Sequence, residues 1–115
     1  MQESQHILDL MKGIVRDEAD ALYNIIDSIN GSYLEAFELI RDSLGRVVVT
    51  GMGKSRLIAR KIATTMTSTG TLAVFLHPSE AAHGDLGVVN AADIVLAIGK
   101  SGESDELNSV FYVIK

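Results

Sequence analysis

Residues 46–70, RVVVTGMGKSRLIARKIATTMTSTG, change hydrophobic period partway along. That change restricts the stretch to a strand that passes through a glycine turn into a helix. Val47, Val48 and Val49 are consecutive β-branched residues, the pattern of a strand buried on both faces. Gly51 and Gly53 allow a sharp turn and close approach of a ligand to bare backbone. From Ser55 the apolar residues Leu57, Ile58, Ile62, Ala63 and Met66 take helical spacing, and Gly70 is a helix stop. A helix start on such a turn offers free N–H groups and the positive end of the helix dipole, which suit an anion. Lys54 adds a full positive charge there.

Two common nucleotide motifs do not fit. A Walker A loop needs a glycine five positions before Gly53, where this chain has Val48, inside the strand. A dinucleotide fingerprint needs a third glycine where this chain has Arg56. The turn alone is equally compatible with a plain strand-to-helix connection that binds nothing.

The chain has 115 residues, enough for one small domain, and 47% of them are apolar, enough for a core. The net charge of −5 argues against a nucleic-acid surface, but the charge is unevenly placed. Residues 1–45 hold nine acids and three bases, whereas residues 46–79 hold five bases and no acid. An acidic protein with a basic centre at a glycine turn fits a small anionic ligand. Arg60 and Lys61 read more simply as the solvated face of the helix. There is no cysteine, hence no disulfide and no thiolate metal site. No signal-peptide pattern and no apolar run of membrane length is found, so the expected location is cytoplasmic, with no membrane partner.

Upstream, Ser4 is placed to cap a first helix over about 4–30, with Ile7, Leu10, Met11, Ile14, Leu22, Ile25, Ile26 and Ile29 on one stripe. That stripe either covers the sheet or packs on another subunit. Asn30-Gly31 ends it. Ser32 and Glu35 fit a capping box for a second helix over about 32–44, stopped by Gly45. Downstream, residues 72–76 form a second strand closed by Pro78, the only proline. Residues 79–87, SEAAHGDLG, are irregular or one helical turn; residues 93–98, DIVLAI, form a third strand. The loop GKSGES at 99–104 follows, and Ser104 caps a last helix. Alternating strands and helices predict an α/β fold, a parallel sheet with helices on both faces. With strand order 2-1-3, the loops 51–55 and 99–104 face one crevice at a topological switch point.

GMGKS at 51–55, ATTMTSTGT at 63–71, FLHPSEAAHGDLG at 75–87 and SGES at 101–104 together resemble one family. It is the sugar isomerase (SIS) domain of D-arabinose 5-phosphate isomerases of the KpsF/GutQ type. The resemblance covers nearly the whole chain. It implies a three-layer αβα sandwich with a five-stranded parallel sheet, flavodoxin-like and doubly wound. It further implies homo-oligomers, dimers or tetramers, and often a following pair of CBS domains. On this reading residues 1–45 are N-terminal helices and residues 46–115 the first part of the SIS domain. The two further strands, a later glutamate and histidine, and the CBS pair are not in the sequence, so a fragment or truncated product is expected, inactive by itself.

The resemblance also implies the chemistry, interconversion of D-arabinose 5-phosphate and D-ribulose 5-phosphate through a cis-enediolate, feeding Kdo for lipopolysaccharide or capsule. Lys54 matches the family's active-site lysine, Glu103 its active-site glutamate and His83 a histidine near the substrate. Gly51, Gly53, Ser55, Ser101, Gly102 and Ser104 fall in the phosphosugar-binding loops. Three positions depart from the family pattern: Gly99 replaces a serine, Lys100 an asparagine and Arg56 a small residue. Such an isomerase needs a base at carbon, a group for the oxyanion and an anchor for the phosphate. Glu103, Lys54 and the two loops are assigned to these in turn, with His83 for polar contact or ring opening. No metal and no cofactor is expected, since His83 and Asp85 are too few ligands. His77, before Pro78, reads as structural. The competing reading is a non-catalytic phosphosugar-binding SIS module with a sensor or assembly role.

Overall fold

The structure, a computed structural model, describes residues 1–82 and 89–99. These form two compact units, residues 1–38 and a second unit beginning at Leu39. The first unit is α1 (Gln2–Ser28) and most of α2 (Gly31–Asp42). No residue of α1 is buried, and Ile7, Leu10, Met11 and Ile14 stand exposed along one stripe.

The helix ends depart from the expected caps. Helix α1 starts at Gln2 with Met1 at the N-cap and no side-chain cap, so Ser4 lies inside it. Its opening turn is held instead by the Gln5 N–H to the Met1 carbonyl, and by the Gln5 amide donating to Asp9 one turn on. It stops at Ser28 because Ile29 is extended. Asn30, not Ser32, caps α2: its Oδ1 accepts the Ser32 N–H at 2.9 Å and the Ser32 hydroxyl at 2.6 Å.

The second unit is built on β1 (Val47–Gly51), every residue of which is buried. It pairs in parallel with β2 (Ala73–Phe75) on one side and β3 (Ile94–Ile98) on the other, giving the order β2-β1-β3. This is the order on which the crevice argument was conditioned, with β2 and β3 slightly shorter than the apolar runs that encode them. The valine run serves both faces. Val47 and Val49 meet Ala59 and Ala63 of α3 (Ser55–Ser68), with Ile40 and Leu96 at the margin. Val48 faces the other way with Leu76, Val74, Val89 and Val95. Alanines at two positions one turn apart let α3 lie close on the strand. Gly70, at φ +104, takes the chain out of α3 in a conformation that glycine alone adopts without penalty. Pro78 does not merely end β2. It opens a short helix α4 (Pro78–Ala82), its missing N–H being no loss at a first helical position.

The amino ends of β1 and β3 are fastened by Asp93. Its carboxylate accepts the Arg46 backbone N–H at 2.8 Å, the Arg46 guanidinium at 3.0 Å and the Asn90 N–H at 2.8 Å. These donors, Asn90 first, hold its pKa down to about 2. At the outer edge, β2 bonds to β1 through the Leu72 carbonyl and the Leu76 N–H. Ala73, one step out of phase with Leu72, therefore turns its polar groups outward. The Thr67 hydroxyl takes both, donating to the Ala73 carbonyl at 2.9 Å and accepting its N–H at 3.2 Å.

Candidate functional site at the carboxyl edge of the sheet

The carboxyl ends of the three strands bring three short segments together. Gly51 ends β1 and is paired in register with Ile98, the last residue of β3, so Gly99 follows directly beside the glycine turn. The register Val49 with Phe75, and the Leu76 N–H bonded to the Val49 carbonyl, place His77 level with the same turn on the β2 side. This is the crevice position that the strand order predicts.

The turn is tighter than its sequence shows. The N–H groups of Ser55, Arg56 and Leu57 are bonded to the carbonyls of Met52, Gly53 and Lys54 at 3.1, 3.3 and 3.2 Å. A 3₁₀-like start consumes those three donors. Among the described residues, the N–H groups of Gly53 and Lys54 are left without a protein acceptor. Gly53 makes this geometry with φ +60, in the left-handed region. Lys54 occupies the N-cap position of α3, exposed, with no acid bonded to it among the described residues. An ammonium, two free amides and the positive helix end therefore share one corner. Gly51 is needed for space, since a Cβ there would stand 3.0 Å from the Ile98 and Ser55 carbonyl oxygens.

His77 has a partner that its sequence reading did not anticipate. Its Nδ1 lies 3.1 Å from the Ser79 backbone nitrogen and 2.6 Å from the Ser79 hydroxyl. The signal was present, since a serine two residues after a side chain that can accept is a local turn pattern.

Of the predicted site residues, the structure places Gly51, Gly53, Lys54 and Ser55 at this edge. His83, Ser101, Gly102, Glu103 and Ser104, with Lys100, lie outside the described residues. An open groove of about 580 Å³ runs elsewhere, between α3 and β2, where Arg60 stacks over Phe75 at 4.6 Å. None of the turn residues lines it, and we place the candidate site at the strand ends. Among the described residues no three potential metal ligands cluster, and no helix is long and apolar enough to cross a membrane.

Fold and turn together define a doubly wound parallel α/β domain with a basic, glycine-lined anion corner at its switch point. Residues 39–113 match the SIS domain, and the chain belongs to that family. It is 47% identical over 104 residues to arabinose 5-phosphate isomerase KdsD of Shigella flexneri, covering 90% of this chain and 32% of that protein. Its counterpart in Pseudomonas aeruginosa is 44% identical over 98 residues, covering 85% and 30%. The chain thus spans about a third of the length of these curated relatives. Among solved structures, an Escherichia coli CFT073 protein in complex with arabinose 5-phosphate superposes with TM-score 0.89 at 37% identity, over 96% of this chain and 58% of that one. A putative phosphosugar isomerase involved in capsule formation from Bacteroides fragilis gives 0.88 at 40% identity, over 93% and 57%. The sheet order and the expected family reading agree with these structures.

Proposed function

We propose that the protein acts on a pentose phosphate as an aldose–ketose isomerase, interconverting D-arabinose 5-phosphate and D-ribulose 5-phosphate. The observation that carries this reading is the 47% identity, over 90% of the chain, to an arabinose 5-phosphate isomerase. The anion corner at Lys54 supports it. In this reading the phosphate or the developing oxyanion lies against Lys54 and the free amides of Gly53 and Lys54, with Ser55 beside them. Ser101, Gly102 and Ser104 complete the phosphate cradle from the loop after β3. Glu103 removes the proton at C2 and returns it to C1, while a proton passes from O2 to O1 through the cis-enediolate. His83 assists ring opening. No redox cofactor is needed, because electrons only shift between C1 and C2.

The product would feed Kdo synthesis for lipopolysaccharide or capsule, in the cytoplasm. The exposed stripe of α1 supports a homo-oligomer with the N-terminal helices in the interface. Calorimetric titration with arabinose 5-phosphate and with arabinose, beside a coupled assay for ribulose 5-phosphate, tests the proposal. Preference for the phosphate is expected of this chain, and turnover, lost on Glu103→Gln, of a form extended to the length of its relatives. Equal affinity for the two sugars overturns it. Tight phosphosugar binding with no turnover by any Glu103-intact form replaces it with the sensor reading.

A further inference from the structure

We infer that the apolar stripe of α1 packs on the outward face of α3 in a second copy of the chain, with Glu18 paired to Lys61 of the partner subunit. The inference rests on the homo-oligomer reading above and names the surface which that reading leaves open.

The first observation is a charge inside the stripe. Glu18 stands four residues after Ile14 and four before Leu22, and seven from both Met11 and Ile25, so all five share one face of α1. The four apolar side chains around it are between 46% and 67% exposed, and no residue of α1 is buried. Covering that stripe takes a carboxylate out of water, which is costly unless the cover brings a base to the same point. Two α1 stripes packed on each other offer Glu18 only apolar neighbours and a second Glu18, so charge disfavours that pairing.

The second observation is a face that answers it. Helix α3 turns Ala59 and Ala63 to β1, and on its other side Lys61 lies four residues after Leu57 and three after Ile58. Leu57 and Ile58 are 60% and 55% exposed, so Lys61 too sits within an uncovered apolar face. Neither Glu18 nor Lys61 has a hydrogen bond or ion pair among the described residues. The surrounding charges match in sign as well: α1 carries six acids and two bases, whereas α3 carries three bases and no acid. Along one flank the α3 face runs into the open groove, whose helix wall is Arg60, Thr64 and Ser68. The 14 residues of α3 extend about 21 Å, the length of the α1 segment from Met11 to Ile25. A two-fold exchange of α1 between two chains makes this contact twice and covers both stripes.

Sedimentation of the 115-residue chain over a concentration series, with charge reversals, tests this. Glu18→Lys and Lys61→Glu should each raise the dissociation constant of the oligomer by about 10-fold or more, because each sets like charges together twice. Mixing the two variants in equal amounts should restore wild-type association, since every contact between unlike chains then joins a lysine to a glutamate. Pairing within one chain gives no such rescue, and pairing of α1 with α1 leaves Lys61→Glu silent; either result overturns the inference. A measurement without variants stands beside it. Carbodiimide treatment of mixed ¹⁴N- and ¹⁵N-labelled wild-type chain, followed by mass spectrometry, should show Glu18 joined to Lys61 in peptides carrying both labels. A cross-link confined to one label, or none in an oligomeric sample, overturns the inference and leaves the homo-oligomer reading standing. A wild-type chain that stays monomeric throughout the series overturns both.

Discussion

Replacing Gly51 by alanine tests the architecture and the site at once. The added methyl would stand 3.0 Å from the Ile98 carbonyl oxygen, 3.0 Å from the Ser55 oxygen and 3.1 Å from the Ser55 carbonyl carbon. Ordinary contact begins at 3.4 Å, so each neighbour must give by a few tenths of an ångström. All three are backbone atoms, two of them in the first residue of α3 and one at the end of β3. No side-chain rotation can absorb the overlap, which favours the upper half of the usual overpacking cost, about 2–3 kcal/mol. With a denaturant slope of about 1–2 kcal/mol/M for so small a domain, the urea midpoint should fall by about 1–2 M. The same displacement carries Lys54 and Ser55 away from the strand ends, so arabinose 5-phosphate affinity should fall by about 10-fold or more, as for a lost charge-assisted bond. Gly13→Ala is the control, because nothing lies within 4 Å of a Cβ there. It should leave binding unchanged and raise α1 helicity. A Gly51→Ala protein with wild-type midpoint and affinity would refute the claim that β1, β3 and α3 meet too closely for a side chain.

Lys54→Ala should weaken phosphosugar binding by about 1.5–3 kcal/mol without lowering the urea midpoint, since its exposed side chain holds nothing in place; calorimetry beside circular dichroism checks both parts. Asp93 has a native pKa depressed to about 2 against an unfolded value of about 3.9. Its contribution to stability should therefore be complete above about pH 4 and be lost as pH falls toward 2. Asp93→Asn should lower the midpoint at pH 7 and flatten this acid-side loss; an unchanged pH profile in urea titrations would count against the fastening role. Thr67→Val, which keeps the shape but not the hydroxyl, should cost about 1–2 kcal/mol in denaturant melts by leaving Ala73 unmatched.

Much of this was legible because hydrophobic period reports directly on topology. Three adjacent valines could only be a strand covered on both faces, and β1 is that strand. The switch from Val49 to the Leu57–Ile62 spacing located α3 within a residue, and alternation of strands and helices gave a parallel sheet, whose order 2-1-3 the sequence reading took as a condition. Interactions that depend on side-chain geometry were not legible. Nothing in a string distinguishes Asn30 from Ser32 as the cap, because both can accept an N–H. Which N–H groups stay free at the start of α3 was hidden for a similar reason: Gly53 takes the left-handed turn from which α3 begins tightly, and only coordinates reveal which donors this uses. His77 read as structural, and its partner, Ser79, is local, not distant. The positions that most define the family chemistry, Glu103 and His83, are assigned by motif alone.

The hydroxyl of Thr67 gives the sheet a direction. Ala73 is turned to the outer edge of β2, and its donor and acceptor are already occupied by a side chain of the helix that precedes the strand. A visiting strand would find no matched rung there and would have to displace α3's own contact to make one. At the opposite margin, among the described residues, β3 is bonded only to β1 and no helix side chain is hydrogen-bonded to its outer edge in the same way. Among the described residues the sheet is thus asymmetric: the β2 flank is occupied from within by Thr67, and the β3 flank is not.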